Sequence, residues 1–231
     1  MMPQPLGPAV DTTPSDRPGP VTLTGRYAQV EKLDPKRHAE GLWRVLKDDD
    51  RVWAYLPYGP FKDRATFEDW LDERAVSLDP YFYAVVDRAT GAPVGQFALM
   101  EIRPAMRVIE VGNVLYSPAL QRTPAATEAQ YLLARYALDT LAYRRYEWKC
   151  NALNAPSRRA AERFGFTFEG IFRQHMIVKG ANRDTAWYAM IDEDWPAIRA
   201  AFETWLNPEN FDADGQQRVS LADLMKKRAT P

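Results

Sequence analysis

The sequence predicts an α/β domain with helices packed on one mixed sheet, and three observations carry that expectation. Segments of period-two alternation, rich in β-branched and aromatic residues, interleave with segments whose apolar residues recur every three to four positions. Consecutive strands without a helix between them suggest a mixed sheet rather than a doubly wound parallel one. Hydrophobic residues make up 46% of the 231, ordinary for a globular chain and too many for wholesale disorder.

The elements follow in order. The first 20 residues hold six of the 18 prolines and few large apolar groups, so residues 1–20 read as a loose arm before a domain spanning 21–206. Tyr27 to Leu33 alternates and reads as an edge strand. Asp34-Pro35 then starts a helix, with Asp as N-cap and Pro at the first helical position, running to about Lys47. Trp53 to Phe61 is an aromatic loop punctuated by Pro and Gly. A second helix from Asp63 to Ser77 sets Phe67, Trp70, Leu71 and Arg74 at helical spacing. Tyr81–Val86 and Val94–Met100 form a hairpin around Asp87–Gly91, and Val108–Tyr116 is a further strand. From Ala125 to Leu141 one stripe of Ala129, Leu132, Leu133, Tyr136, Ala137 and Leu141 marks a long helix. Tyr146–Asn151 is a strand. Asn154–Phe164 is a short helix with Ala160, Ala161 and Phe164 inward and Arg158, Arg159, Glu162 and Arg163 mostly outward. Phe166–Val178 and Thr185–Ile191 are strands joined near Gly180, and Trp195–Leu206 is a last helix. Residues 207–231 read as a polar tail ending in Lys226-Lys227-Arg228, a segment able to cap a partner subunit in a homodimer.

Charge and composition exclude several functions. Thirty Lys+Arg against 31 Asp+Glu leaves no basic footprint for nucleic acid. The longest uncharged stretch, 89–100, is far short of the roughly 20 residues that span a bilayer. One cysteine and two histidines leave no disulfide framework and little for a metal site. With no signal-like start, a cytoplasmic setting without membrane, nucleic-acid or metal partners is expected.

Chemistry concentrates at Glu110–Thr127. A strand ends, a tight turn follows and a long helix begins, whose unpaired N–H groups and partial positive charge suit a phosphate. Small residues (Thr123, Ala125, Ala126, Thr127) permit close approach, and Pro124 suits the first helical position. Alone, this is equally a plain strand–turn–helix connection. Downstream, Asn154-Ala-Pro-Ser157 opens a helix and Phe164-Gly165-Phe166 leads into the next strand. Together the two blocks resemble the GNAT superfamily of acyl-CoA-dependent N-acetyltransferases, over roughly Leu23 to Ile191. The run Glu110-Val-Gly-Asn-Val-Leu-Tyr-Ser-Pro118, then Gln121–Ala126 and Thr127-Glu128-Ala129, is similar to the branch that includes ribosomal-protein-alanine N-acetyltransferases. Pro124 departs from that pattern, which usually has glycine there, and removes one N–H donor.

The resemblance implies two neighbouring parallel strands, Val108–Tyr116 and Tyr146–Asn151, that splay to admit acetyl-CoA. Pantetheine would pair with backbone groups near Val114, Leu115 and Tyr116. The pyrophosphate would sit on Gln121, Arg122, Thr123, Ala125, Ala126 and Thr127, and Asn154 would bond the pantetheine arm. An amine would attack the thioester directly. The attack needs a base for the amine proton, an oxyanion donor such as a strand N–H, and a proton for the leaving thiolate. Glu110 resembles the base, and period-two alternation puts Glu110, Gly112 and Val114 on one face. Its bland reading is an exposed strand glutamate balancing nearby arginines. Ser157 resembles the thiolate-protonating serine, and is equally a helix first-turn serine.

Tyr55, Leu56, Tyr58 and Phe61 either wall an acceptor pocket or cover the sheet. His175 reaches the substrate mouth or stays structural. Cys150, Trp148 and Trp187 read as core. The acceptor is a small-molecule or peptide amine. The aromatic loop argues mildly against a polyamine, and Asp48, Asp49 and Asp50 weigh the other way. The alternative is a GNAT-fold protein that binds or senses acyl-CoA, or mediates assembly, without turnover, for which Pro124 is the motive.

Overall fold

A computed structural model of the chain describes residues 6–227. The first five residues of the arm and the last four of the tail, Arg228 among them, lie outside the described residues. The strands are β1 (Thr22–Thr24), β2 (Ala28–Lys32), β3 (Tyr81–Asp87), β4 (Pro93–Arg103), β5 (Val108–Tyr116), β6 (Arg145–Asn151), β7 (Thr167–Val178) and β8 (Ala181–Ile191). The helices are α1 (Pro35–Leu46), α2 (Arg64–Val76), α3 (Pro124–Arg135), α4 (Ala155–Arg163), α5 (Trp195–Leu206) and α6 (Leu221–Lys227). One eight-stranded sheet runs in the order β1-β2-β3-β4-β5-β6-β8-β7. β5 and β6 are parallel and the other neighbouring pairs antiparallel, so the sheet is mixed as expected.

Helix starts follow local chemistry. Asp34 accepts from the Lys36 N–H at 3.0 Å ahead of Pro35, and Asp63 accepts from the Thr66 N–H at 2.9 Å. α3 closes in a π-helical turn, Tyr136–Thr140, rather than continuing as α-helix to Leu141. On one face of the sheet α1 and α2 bury Leu42, Leu46, Phe67 and Leu71 against Phe82, Ala84, Ala98 and Leu115. On the other, α3 to α6 cover Tyr83, Phe97, Ile109, Tyr146 and Tyr188. Each fully buried large apolar side chain contributes about 1.5–3 kcal/mol.

Three expectations change. β2 is an inner strand, because β1 pairs outside it and takes the edge. The polar tail folds onto its own subunit: Leu221 and Met225 enter the core, and the Phe211 ring sits 5.1 Å from Trp205. Among the described residues 6–20, the proline-rich arm has no regular structure but is pinned. Ser15 bonds the Pro104 and Ala142 carbonyls at 3.1 and 2.9 Å, and Gly19 bonds the hydroxyls of Tyr136 and Tyr83 at 3.0 and 2.9 Å. Composition misses this because the acceptors and donors come from distant elements.

Glu128, in the Thr-Glu-Ala run, has a structural task. Its carboxylate accepts the N–H groups of Arg26, Tyr27 and Ala28 at 2.8, 2.5 and 2.7 Å, tying α3 to the β1–β2 turn. Gly25 is required there, since a Cβ would lie 2.3 Å from that carboxylate.

Candidate active site

β5 and β6 pair from Val108/Arg145 only as far as Val111/Trp148. Beyond that point β5 stays bonded to β4, through Leu115/Gln96 and Tyr116/Gly95, while β6 stays bonded to β8. The two strands therefore leave an open wedge between them. On its β5 side one extra residue enters against β4, between Gly112/Ala98 and Leu115/Gln96, and Asn113 takes a left-handed φ of 51°. This bulge corrects the expected alternation. Glu110 and Gly112 share a face, but Val114 packs with the opposite core and Leu115 turns toward α1 and α2. The Tyr116 side chain leaves the wedge altogether, its hydroxyl accepting from Gln130 Nε2 at 3.0 Å.

Glu110 is buried at the closed end of the wedge, 5% exposed. Lys149 Nζ lies 2.8 Å from its carboxylate and 3.0 Å from that of Glu147. Glu147 also takes Arg145 at 2.7 Å and Arg103 at 2.8 Å. Burial pushes the Glu110 carboxyl up from 4.5 to about 7, with Lys149 pulling the other way. The partners of Glu147 outweigh its burial and hold it below the ordinary range. Two neighbouring carboxyls are thus driven apart, and Glu110 changes protonation near neutrality. Lys149 was not anticipated. Its only sequence signal is its strand position, because its partner lies 39 residues away.

The aromatic loop and the β7–β8 hairpin meet on the Glu110 face. Tyr58 donates to Asn113 Oδ1 at 2.6 Å, fastening the loop to the bulge, and burial holds its phenol un-ionised. Tyr55 donates to the Leu153 carbonyl at 3.2 Å, across the wedge mouth, and Lys179 donates to the Trp53 carbonyl at 3.0 Å. Leu56 packs on the α1–α2 core, and Phe61 is enclosed by Trp53, Trp70 and Phe67 at ring distances of 5.3, 5.1 and 5.8 Å. Phe61 is half-buried against the same core. Trp187 is not core: it is half-buried, stacks on Phe172 at 4.4 Å and carries Lys149 Nζ 3.9 Å above its ring. His175, exposed on an irregular stretch of β7, bonds Thr185 Oγ1 at 2.9 Å with its ring 6.0 Å from Trp187.

The turn into α3 offers fewer donors than its length suggests. The N–H groups of Gln121 and Thr123 bond back to Ser117 and Leu120 at 3.0 and 3.3 Å, and that of Ala126 to Thr123 Oγ1 at 3.1 Å. Thr127 N–H bonds the Thr123 carbonyl at 3.4 Å, and the Gln121 amide donates to the Tyr116 carbonyl at 2.8 Å. Pro124 has no N–H, so Arg122, at φ 64°, and Ala125 carry the N–H groups outside this internal bonding. Arginines supplement them. Arg163 was expected outward, yet it is half-buried and donates to Thr127 Oγ1 at 3.0 Å. A hollow of about 320 Å³ beside Thr123, Pro124 and Ala125 is walled also by Arg26, Arg88 and Asp87.

On the opposite side of the wedge, Asn154 Oδ1 caps α4 through the Ser157 N–H at 3.1 Å. Ser157 Oγ accepts from Trp148 Nε1 at 3.0 Å, and its hydroxyl is also in hydrogen-bond contact with the Cys150 thiol. Cys150 is buried, as expected of a small core residue, and burial pushes its thiol up. Among the described residues no helix is long and apolar enough to cross a membrane.

A family model for the acetyltransferase (GNAT) domain matches residues 30–167. A GCN5-related N-acetyltransferase from Brucella melitensis is 49% identical in sequence. The similarity covers 93% of this chain and 98% of that one, with a TM-score of 0.91. A protein described as a probable acetyltransferase of the GNAT family, from Chromobacterium violaceum, is 38% identical over 84% of this chain and 100% of that one, with a TM-score of 0.77. Ribosomal-protein-S5-alanine acetyltransferase from Vibrio fischeri shares the fold at 18% identity, covering 76% of this chain and 98% of that one, with a TM-score of 0.62. No curated protein matches the chain in sequence.

Proposed function

The chain belongs to the GNAT acetyltransferase family, and we propose that it moves an acetyl group from acetyl-CoA to a primary amine by direct attack in a ternary complex. The observation that carries this reading is the open β5–β6 wedge with a buried carboxyl of pKa about 7 at its closed end. A catalytic base works best when its pKa lies near the working pH.

In this reading pantetheine lies along β5 near Val114, Leu115 and Tyr116, and the diphosphate sits on the α3 terminus at Arg122 and Ala125 with Arg163 nearby. The Asn154 amide faces the pantetheine arm with its Nδ2, since Oδ1 is used by its helix. Glu110 takes the proton of the bound ammonium, directly or through water. The freed nitrogen attacks the thioester carbon, and the tetrahedral oxyanion collapses with loss of the C–S bond. Ser157 gives its hydroxyl proton to the departing thiolate and recovers one, through water, from the nitrogen, which sheds its second proton as the amide forms. Tyr55, Leu56, Tyr58 and His175 surround the acceptor.

The test is a thiol-release assay with acetyl-CoA and a panel of amines. Glu110→Gln is expected to lower kcat/KM by about 10²–10⁴ at neutral pH. Stabilisation by coenzyme A without turnover of any amine would instead support an acyl-CoA-binding protein, the alternative that Pro124 motivates.

A further inference from the structure

The ion pairs around Glu110 close on themselves. Glu110, Glu147 and Glu169 bond Lys149, Arg103 and Arg145, three carboxylates to three cations. Arg183 stands outside that set. It lies on β8, on the face of Thr185 and Trp187, half-buried and within electrostatic reach of Cys150 and Glu110. Trp187 is directly opposite Lys149 in the sheet. Among the described residues, Arg183 Nε is buried without a hydrogen-bond partner, and so is Trp187 Nε1.

Nearby acids do not supply the missing acceptor. Asp184 Oδ1 takes the Gln174 N–H at 2.7 Å and the Asn182 amide at 2.9 Å, Glu101 is exposed at the rim, and among the described residues neither bonds Arg183. A buried donor without an acceptor costs about 1–3 kcal/mol, and Arg183 and Trp187 are the two such donors that share the Glu110 face of β8. The natural partner of a guanidinium fork is a carboxylate, taken through two parallel N–H bonds.

We propose that Arg183, with the Trp187 N–H, binds the carboxylate of the acceptor, so that the amine substrate is a small amino acid rather than a polyamine or an amino sugar. This rests on the acetyl-transfer reading and adds the acceptor's second group. The amine faces Glu110 while the carboxylate is held on β8.

Thiol release with acetyl-CoA tests it on each of the twenty standard amino acids, the matching amino-acid amides, and putrescine. The wild type is expected to prefer one or more free acids over their amides at least tenfold in kcat/KM, the range of one charge-assisted bond. Arg183→Gln abolishes that ratio, and Trp187→Phe, which keeps the ring, reduces it. A purely structural Arg183 would lower acid and amide alike. Equal rates for acid and amide, or an unchanged ratio in Arg183→Gln, overturns the proposal. Should no amine turn over, thermal stabilisation of the coenzyme A complex by the same acids and amides decides. Stabilisation by acids alone, lost in Arg183→Gln, supports the assignment, and no discrimination overturns it. Calorimetry with acetyl-CoA separates the two levels. Coenzyme binding without acid preference removes this assignment only, whereas absent coenzyme binding removes the acetyl-transfer reading and this assignment with it.

Discussion

Lys149→Met isolates the electrostatics of the base. Methionine approximates the length of the lysine stem and keeps contact with Trp187, while the charge 2.8 Å from Glu110 disappears. Coulomb's law at that distance and an effective dielectric of about 20 gives roughly 6 kcal/mol. At about 1.4 kcal/mol per pH unit, that is a ceiling of roughly four units. The real change is smaller, because Glu147 shares the ammonium at 3.0 Å. An opposite charge in contact typically moves a carboxyl by about one to three units. The direction follows from the acid form. Burial already raises Glu110 to about 7, Lys149 opposes that rise, and removing it raises the carboxyl further. Glu147, Glu101 and Arg183 remain around it. The base must be ionised to act, so the acidic limb of kcat/KM against pH, centred near 7 in the wild type, moves upward by about one to three units. The assay is the pH profile of thiol release, with circular dichroism to confirm folding. An acidic limb that stays in place, or moves downward, in a folded variant refutes the coupling.

Other expectations follow from single contacts. Ser157→Ala removes the acceptor of Trp148 Nε1, at 3.0 Å, and lowers stability by about 1–3 kcal/mol in urea titration. If Ser157 delivers the thiolate proton, kcat falls while KM is unchanged, and an unaltered kcat would leave it only its structural task. Glu128→Gln weakens three charge-assisted bonds to the β1–β2 turn and is expected to cost about 1–3 kcal/mol without altering the pH profile of thiol release. A wild-type unfolding midpoint would count against that role.

Helix starts were legible because Asp34, Asp63 and Asn154 each satisfy a backbone N–H within three residues, a strictly local interaction. β5 was legible in extent but not in facing. One asparagine in a left-handed conformation inverts the alternation after Gly112, and nothing in the period-two pattern marks it. The site's cation was hidden for a different reason. Glu110 and Lys149 meet only because β5 and β6 run parallel in register, a pairing fixed by the whole sheet. Arg163 looked solvated because α4 was read in isolation, whereas Trp205, 5.0 Å away, and Thr127 enclose it. The tail carried a readable signal in Leu221, Leu224 and Met225 at helical spacing, which its polar composition masked.

The seating of a diphosphate at the start of α3 bears most of the functional reading, and calorimetric titration with acetyl-CoA of the wild type and Arg122→Asp tests it most directly. Arg122 is exposed at a left-handed position that aspartate tolerates, so the substitution adds an opposing charge at little cost to the fold. Saturable one-to-one binding in the wild type, weakened at least tenfold by Arg122→Asp, is predicted. Equal affinity in both proteins, or no saturable binding to folded wild type, would contradict it.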